Sequence, residues 1–354
     1  GSGPGTRGDG RDVIPGVARV AEVWHREGER VRCALCPWRC LIADGRTGLC
    51  GVRKNVAGTL EARSYGLVSS LAVDPIEKKP VFHYRPGTSV LSLGSVGCTM
   101  RCGHCQNWRI SRAAPGDYGV RERRLSPEDV LEAAVAQRCP GVAFTYNEPV
   151  IWAEFVRDCG ALCHDAGLFT VMVTNGYITC EGLDFLGEHI DVWRVDVKGA
   201  SEAVYRTLCN VPSPEPVFAA AVRAKHHWGM HVEVVTNVVP TVNDRPEELR
   251  AIAAWIAREL GPDTPWHVTR FFPYLEYAHL EPTPIDTLLA ARRIGEEEGV
   301  RFVFLGNAAE EGGEDTVCPE CGELVIVREG YTIRKRALSQ GSCALCGRNL
   351  GITE

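Results

Sequence analysis

From residue 126 to residue 304 the chain repeats one unit, an amphipathic helix followed by a short apolar strand, and that repeat leaves few folds open. Ser126-Pro127-Glu128-Asp129 starts a helix with a capping serine, a first-turn proline and acidic residues against the helix dipole. An apolar strand at 142–144 follows. Helix 149–166 then precedes strand 169–173, and helix 181–188 precedes strand 191–195. Helices 201–208 and 215–228 lead to strand 231–235, helix 246–259 to strand 267–272, and helix 285–298 to strand 301–304. Strands separated by helices run parallel with right-handed crossovers, since a hairpin cannot join parallel neighbours. Counting the strand at 89–93, six lie between 89 and 272, which suits an open, partial (β/α)6 TIM-like barrel in the α/β class. Chemistry is then expected at the C-terminal ends of the strands.

The end of the first strand carries Gly97-Cys98-Thr99-Met100-Arg101-Cys102-Gly103-His104-Cys105-Gln106-Asn107, a C-x3-C-x2-C loop. Three thiolates aimed at one point are one short of the four that normally hold a [4Fe-4S] cluster, so one iron is left with an open position. An open position separates a catalytic metal site from a structural one. The bland readings are a zinc knuckle with a distant fourth ligand, or reduced thiols with no metal.

Two further cysteine groups flank the repeat. Cys33, Cys36, Cys40 and Cys50 form a C-x2-C-x3-C-x9-C array with glycine and proline at its turns, able to close around zinc or an auxiliary Fe-S cluster. Cys318, Cys321, Cys343 and Cys346 form paired C-x2-C knuckles around strand-like 323–327 and 331–335, a zinc-ribbon signal, with a rubredoxin-like iron site as the minor alternative. Of the 16 cysteines, the scattered Cys139, Cys159, Cys163, Cys180 and Cys209 read as buried small hydrophobes. So many cysteines in a long chain with no signal-peptide order and no bilayer-length apolar run point to metal in the cytoplasm rather than to disulfides. A net charge of -6 makes nucleic acid an unlikely partner for the whole chain. Composition alone makes Asp74-Pro-Ile-Glu-Lys-Lys-Pro80 a charged surface loop.

Polar residues recur at the other strand ends: Thr145-Tyr146-Asn147-Glu148-Pro149, Thr174-Asn175-Gly176, Asp196-Val197-Lys198, Asn237 and Arg270. Each alone reads as a turn or cap. Sharing one end of the strands, they suit a ligand with an amine, a carboxylate and a ribose.

The three-cysteine loop together with these strand ends resembles the radical S-adenosylmethionine (SAM) enzymes. The resemblance implies that Cys98, Cys102 and Cys105 hold a [4Fe-4S] cluster whose open iron chelates S-adenosylmethionine, and that reductive cleavage gives methionine and a 5′-deoxyadenosyl radical that abstracts hydrogen. That radical is the reactive species, so no side chain is assigned a catalytic role. His104 then stands where an aromatic residue contacts adenine. Thr145 to Pro149 resembles a motif of glycyl-radical activating enzymes, among them the pyruvate formate-lyase activating enzymes, and puts Asn147 and Glu148 in place to receive the substrate amine. Asp196 and Lys198 reach the ribose or carboxylate, Asn175 lies near the ribose, and Asn107, Tyr146, Asn237 and Arg270 complete the expected cofactor-binding set. The Cys33 to Cys50 array, Asp74 to Pro80, Cys105-Gln-Asn-Trp and the C-terminal ribbon together are similar to the radical SAM enzyme of the AmmeMemoRadiSam system. This likeness implies Memo-type and AMMECR-type partner proteins and an electron donor of the flavodoxin or ferredoxin type.

The expected division is a flexible tail at 1–10, a Cys-rich N-terminal region at 11–88, a radical SAM partial barrel at 89–312 and a zinc-ribbon-like four-cysteine domain at 313–354. The segment 201–230 carries no interpretable motif. A glycyl-radical enzyme activase is the close alternative, and a zinc-knuckle binding or scaffold protein is the alternative of another class. The substrate is a small molecule or a protein residue.

Overall fold

One sheet of eight strands organises the computed structural model, which describes residues 19–308 and 312–354; the expected tail at 1–10 lies outside the described residues. In chain order the strands are β1 (Ser70–Pro75), β2 (Ser89–Gly94), β3 (Gly141–Phe144), β4 (Phe169–Thr174), β5 (Val192–Asp196), β6 (His231–Val238), β7 (Trp266–Arg270) and β8 (Val303–Gly306). They keep that order across the sheet. β2 to β8 run parallel, while β1 is antiparallel to β2 with Ser70 opposite Gly94 and Asp74 opposite Val90. The strand expected at 301–304 thus joins the sheet as its seventh parallel member.

The crossovers are α1 (Pro127–Ala136), α2 (Ala153–Asp165), α3 (Cys180–Leu186), α4 (Glu202–Cys209), α5 (Glu215–His226), α6 (Pro246–Trp255) and α7 (Ile285–Glu297). α1 begins as its sequence dictates: Ser126 caps the Asp129 amide, Asp129 returns a bond to the Ser126 amide, and Pro127 occupies the first turn. Side chains alternate between the two faces of each strand. Leu91, Leu93, Phe144, Met172, Trp193 and Val234 face the helices and form the main core. Val90, Ala143, Phe169, Val171 and Val192 face inward and pack against Ile76 and Val81.

That inner packing corrects the expectation for Asp74 to Pro80. Asp74 and Lys79 are each 4% exposed and Glu77 is 2% exposed, so the segment is not a surface loop. It forms the end of β1 and a 3-10 turn, Ile76–Lys78, folded into the concave side of the sheet. Ile76 and Val81 lie on the β2 to β5 half. The Phe82 and His83 amides donate to Glu233 on β6, and the Phe82 ring meets His267 on β7 and Phe304 on β8 at centroid distances of 4.6 and 4.8 Å. One segment touches both halves, so the sheet curls around it. Composition misled because buried charges are tolerated where each finds a partner, and Asp74 finds Lys78, Lys79 and Tyr146.

Smaller sheets complete the chain at both ends. Before β1, Trp24–Glu27, Arg30–Cys33 and Leu41–Ile42 form one three-stranded sheet, and Arg19–Val20, Thr59–Ala62 and Arg53–Val56 another. Arg53 and Glu154, both 1% exposed at the side chain, lock this region to α2 through bonds of 2.9 and 2.6 Å. After β8, Thr316–Val317, Leu324–Glu329 and Thr332–Arg336 form an antiparallel sheet close to the expected ribbon strands. Its Arg328 stacks 4.2 Å above Phe82 and donates to the Phe82 carbonyl at 2.9 Å, which fastens the ribbon to the inner segment. Of the scattered cysteines, Cys139, Cys159, Cys163 and Cys209 are buried as expected. Cys180 is exposed, because it opens α3 directly after the Thr179 cap.

Candidate active site

The loop after β2 is shaped from both sides. Gly97 has a φ of 87°, and a Cβ there would lie 2.6 Å from the Cys50 carbonyl oxygen and 2.9 Å from Ile151 and Val52, so only glycine fits. Asn147, just past β3, accepts from the Ser95 amide at 2.8 Å and donates to the Gly97 carbonyl at 3.0 Å. Asn107 closes the other end by donating to the Tyr146 carbonyl at 2.8 Å. The end of α4 supplies the third support. The Arg101 and Gly103 amides donate to the Cys209 and Leu208 carbonyls, and Asn210, in left-handed conformation, donates to the Arg101 carbonyl. The segment 201–230, opaque in sequence, is therefore a bracket for the three-cysteine loop.

Each thiol has a distinct environment. Cys98 Sγ accepts from the Met100 amide at 3.4 Å and from Asn175 Nδ2 at 3.5 Å. The buried Cys209 thiol beside Cys102, together with burial, pushes the Cys102 pKa well up; the charges of Asp196 and Lys198 also act on it. Burial raises Cys98 as well, reinforced by Glu148 and by the other two thiols, and burial followed by Cys102 raises Cys105. Burial disfavours the thiolate at each, and a bound metal would displace the proton. His104 is 7% exposed, its Nδ1 has no hydrogen-bond partner, and burial together with the Lys198 charge pushes its pKa down to about 3.

The neighbouring strand ends divide into two groups. Asn175, Asp196 and Lys198 stand at the thiols. Burial alone would raise the Asp196 pKa, yet Arg194 at 2.8 Å and Lys198 at 3.3 Å hold it below the usual carboxylate range. Asn147 and Glu148 instead serve the protein: Glu148, 2% exposed, caps Val150 at 2.9 Å and accepts from Thr174 Oγ1 at 2.6 Å and the Asn175 amide at 2.7 Å. Burial pushes its pKa up to about 7 against those three bonds. Asn237 donates to Thr269 Oγ1 and the Arg270 carbonyl at 3.1 Å each, and Arg270 Nε to the Thr283 carbonyl at 2.9 Å. These bonds fix the ends of β6 and β7 and do not reach the cysteine loop.

Sequence reasoning misses several groups here. Cys209 reads as packing alone, and Thr99, which bonds Asn175, carries no signal inside the loop. Arg194 is legible, since it precedes Asp196 by two residues and so shares its face of β5.

The flanking cysteine groups differ in placement. Cys33, Cys36, Cys40 and Cys50 lie directly against the three-cysteine loop: Trp38 Nε1 donates to the Thr99 carbonyl and Arg101 to the Leu49 carbonyl, both at 2.8 Å. Burial raises the Cys36 pKa well above the thiol range, followed by the charges of Cys33, Cys50 and Cys40, so the four thiols share one neighbourhood. At the other end, the ligand atoms of Cys318, Cys321, Cys343 and Cys346 all lie within 4.8 Å of one another, with Sγ pairs 3.6 and 3.7 Å apart. Four sulfurs about 2.3 Å from a tetrahedral ion stand about 3.8 Å apart, so this group could hold one metal ion. A cavity of about 710 Å³ lined by Tyr84, Asp191 and His231 lies where the strands begin, at the opposite end from the thiols.

The chain is similar to several known proteins. Residues 93–256 match the family model described as the Radical SAM superfamily. The chain is 41% identical over 328 residues to the uncharacterized protein MJ0808 of Methanocaldococcus jannaschii, a match that covers 92% of this chain and 96% of that protein. It is 27% identical over 157 residues to the pyruvate formate-lyase-activating enzyme of Clostridium pasteurianum, covering 44% of this chain and 65% of that enzyme. Among solved structures, Streptococcus suis SuiB bound to S-adenosylmethionine aligns with a TM-score of 0.48 at 14% identity, over 66% of this chain and 53% of that one.

Proposed function

Because the chain belongs to the radical SAM superfamily of enzymes, we propose that it abstracts hydrogen from a substrate at the C-terminal rim of a partial barrel formed by β2 to β8. The family implies a [4Fe-4S] cluster and S-adenosylmethionine, and the donor set is suited to both. Cys98, Cys102 and Cys105 are soft, half-buried donors whose protons a metal would displace. The unpartnered Nδ1 of His104 and the Asp196–Lys198 pair are polar groups for a bound molecule. When bound, the cluster and S-adenosylmethionine supply reductive cleavage of a sulfonium carbon–sulfur bond and, with it, a hydrogen-abstracting radical.

The chain's own residues bind, orient and exclude water. Asn175 and Thr99 fix the Cys98 thiol. Lys198 offers an ammonium to a carboxylate and Asp196 an acceptor to a ribose. His104 and Asn107 flank the adenine side, and Asn147, Glu148, Tyr146, Asn237 and Arg270 hold the rim in shape. Glu276 and Tyr277 cover Gly103, where a Cβ would lie 2.6 and 2.8 Å from them, and keep water from that side of the loop.

The Cys33 to Cys50 array carries zinc or an auxiliary Fe-S cluster, and the C-terminal four carry zinc. The enzyme works in the cytoplasm with a flavodoxin- or ferredoxin-type donor, beside Memo-type and AMMECR-type proteins. The observation that carries this reading is that Asn175 bonds Cys98 while the charges of Asp196 and Lys198 act on Cys102, at neighbouring strand ends of one rim. A glycyl-radical activase is favoured by the Clostridium pasteurianum relative. It is disfavoured by the two cysteine-rich ends, which lie outside the matched 93–256.

The test is anaerobic reconstitution followed by S-adenosylmethionine and a strong reductant. Brown protein that forms 5′-deoxyadenosine, with Cys102→Ala folded but inactive, is expected. Colourless protein containing zinc alone would sink the proposal. Metal analysis of Cys36→Ala and Cys321→Ala identifies the occupants of the flanking sites, and a glycyl-radical signal on an added acceptor enzyme would favour the activase.

A further inference from the structure

Inside the curl of the sheet, below the rim, lies a group of charged side chains that hydrogen abstraction as described gives no task. Tyr146 leaves β3 with a left-handed φ of 74° and lays its ring on the inner face of β2. Gly94 makes the room, since a Cβ there would lie 3.0 Å from Tyr146 Cδ2. The phenol donates to Asp74 Oδ2 at 2.6 Å. Lys79 Nζ reaches the same oxygen at 2.6 Å and stands 4.5 Å from the Tyr146 ring centroid, while Lys78 takes the other oxygen at 2.8 Å. Across the interior, Arg194 follows Val192 on the inner face of β5 and pairs with Asp196, which also takes Lys198.

The charges do not balance. Lys78 and Lys79 share Asp74, and Arg194 and Lys198 share Asp196, so with Lys198 given to the carboxylate at the rim three cations still face two carboxylates. Glu233, the cross-strand neighbour of Arg194, is occupied by the Phe82 and His83 amides and by His231 and His267. Arg194 is 7% exposed and its Nε is buried without a hydrogen-bond partner. An orphaned buried donor of this kind is destabilising, and buried polar groups are ordinarily satisfied. Tyr146 also walls a cavity of about 680 Å³ along β1, lined in addition by Ser70, Ala72, Arg121, Glu122 and Arg123. Arg121 and Arg123 bring two cations to this cavity beside the one carboxylate of Glu122, and Tyr146 stands between it and the Asp74–Lys79 pair.

We propose that this interior receives the anionic end of the substrate, a carboxylate or phosphate on a small organic molecule, on Arg194 and Lys79, with the Tyr146 ring as its side wall. The assignment of this anion site to the substrate rests on the radical reading of the rim above it. A guanidinium with a free Nε–H and an ammonium with unused donors recognise an oxyanion through charge-assisted bonds, and a cationic or neutral group placed there would leave the surplus charge uncompensated.

The test uses reconstituted protein labelled with 15N at arginine, titrated at constant ionic strength with sodium formate and separately with sodium phosphate. The Arg194 Nε–H signal, identified by its loss in Arg194→Lys, shifts saturably with at least one of the two and not with sodium chloride. The salt that acts tells carboxylate from phosphate. Lys79→Met weakens that titration about tenfold or more. A signal that moves with neither salt, or Lys79→Met with wild-type affinity, overturns the proposal. Intact 5′-deoxyadenosine formation with an unmoved Arg194 signal removes the anion site alone; a moving signal in protein that never cleaves S-adenosylmethionine removes the radical reading alone.

Discussion

Asn175 donates its side-chain amide to Cys98 Sγ at 3.5 Å while its own oxygen is held by the Thr99 hydroxyl and the Tyr177 amide. The donor comes from the end of β4 and the acceptor from the end of β2, so a strand two places away in the sheet sets the electrostatics of the thiol. Hydrogen bonds to cysteinyl sulfur stabilise the reduced, more negative state of an iron-sulfur cluster. Replacing Asn175 by Leu removes a bond worth about 1 kcal/mol net, and so lowers the reduction potential by on the order of 40 mV for one electron. Potentiometric titration followed by electron paramagnetic resonance reads the shift; equal potentials in the two proteins would show that the amide does not tune the site.

Arg53 and Glu154 are a buried pair whose members fail separately. Arg53→Met leaves the buried Glu154 carboxylate with backbone amides alone, those of Glu22 and Glu154 itself, as partners among the described residues, and removing one member of such a pair costs about 3–5 kcal/mol. The double variant Arg53→Met/Glu154→Leu recovers much of that loss. Urea unfolding of the two singles and the double measures it, and strictly additive losses would show that the two charges are independent.

Glu148 makes stability depend on pH. Burial raises its pKa from 4.5 to about 7 in the folded protein. Between those values the folded state keeps a proton that the unfolded chain has released, so stability falls as pH rises through this window and stays lower above it. Glu148→Gln lacks that dependence and gains on wild type across the window by on the order of 3 kcal/mol. Denaturant midpoints on either side of the window test this, and parallel pH curves for the two proteins would refute it.

Stripping metal from Cys318, Cys321, Cys343 and Cys346 should loosen more than the ribbon. Arg328 of that sheet is bound to Phe82, and Phe82 to Glu233. A chelator strong enough for a tetrathiolate site is expected to release one zinc per chain and to raise amide hydrogen exchange at Phe82 and His83. Exchange confined to residues beyond 312 would show that the ribbon is an appendage.

The parallel sheet is legible in the sequence because buried strands and their crossover helices have different apolar periods, and the helix starts carry local caps such as Ser126. The three-cysteine loop is legible because its ligands are close in sequence. Asp74, Lys79 and Arg194 do not read as one group, because they meet only once the sheet has curled, and composition assigns charged residues to the surface. Glu148 illustrates the same limit. Its place at a strand end marks it for the site, but whether its oxygens face a ligand or the Asn175 amide depends on tertiary geometry that no local pattern encodes.

The close approach of Gly97 to the Cys50 carbonyl bears on how the protein matures. The last cysteine of the N-terminal array and the residue before Cys98 touch through their backbones, with no side chain between them to absorb a change. If both sets hold metal as proposed, filling one is expected to set the frame in which the other is filled, so that loading of the two sites is expected to proceed as one coupled event.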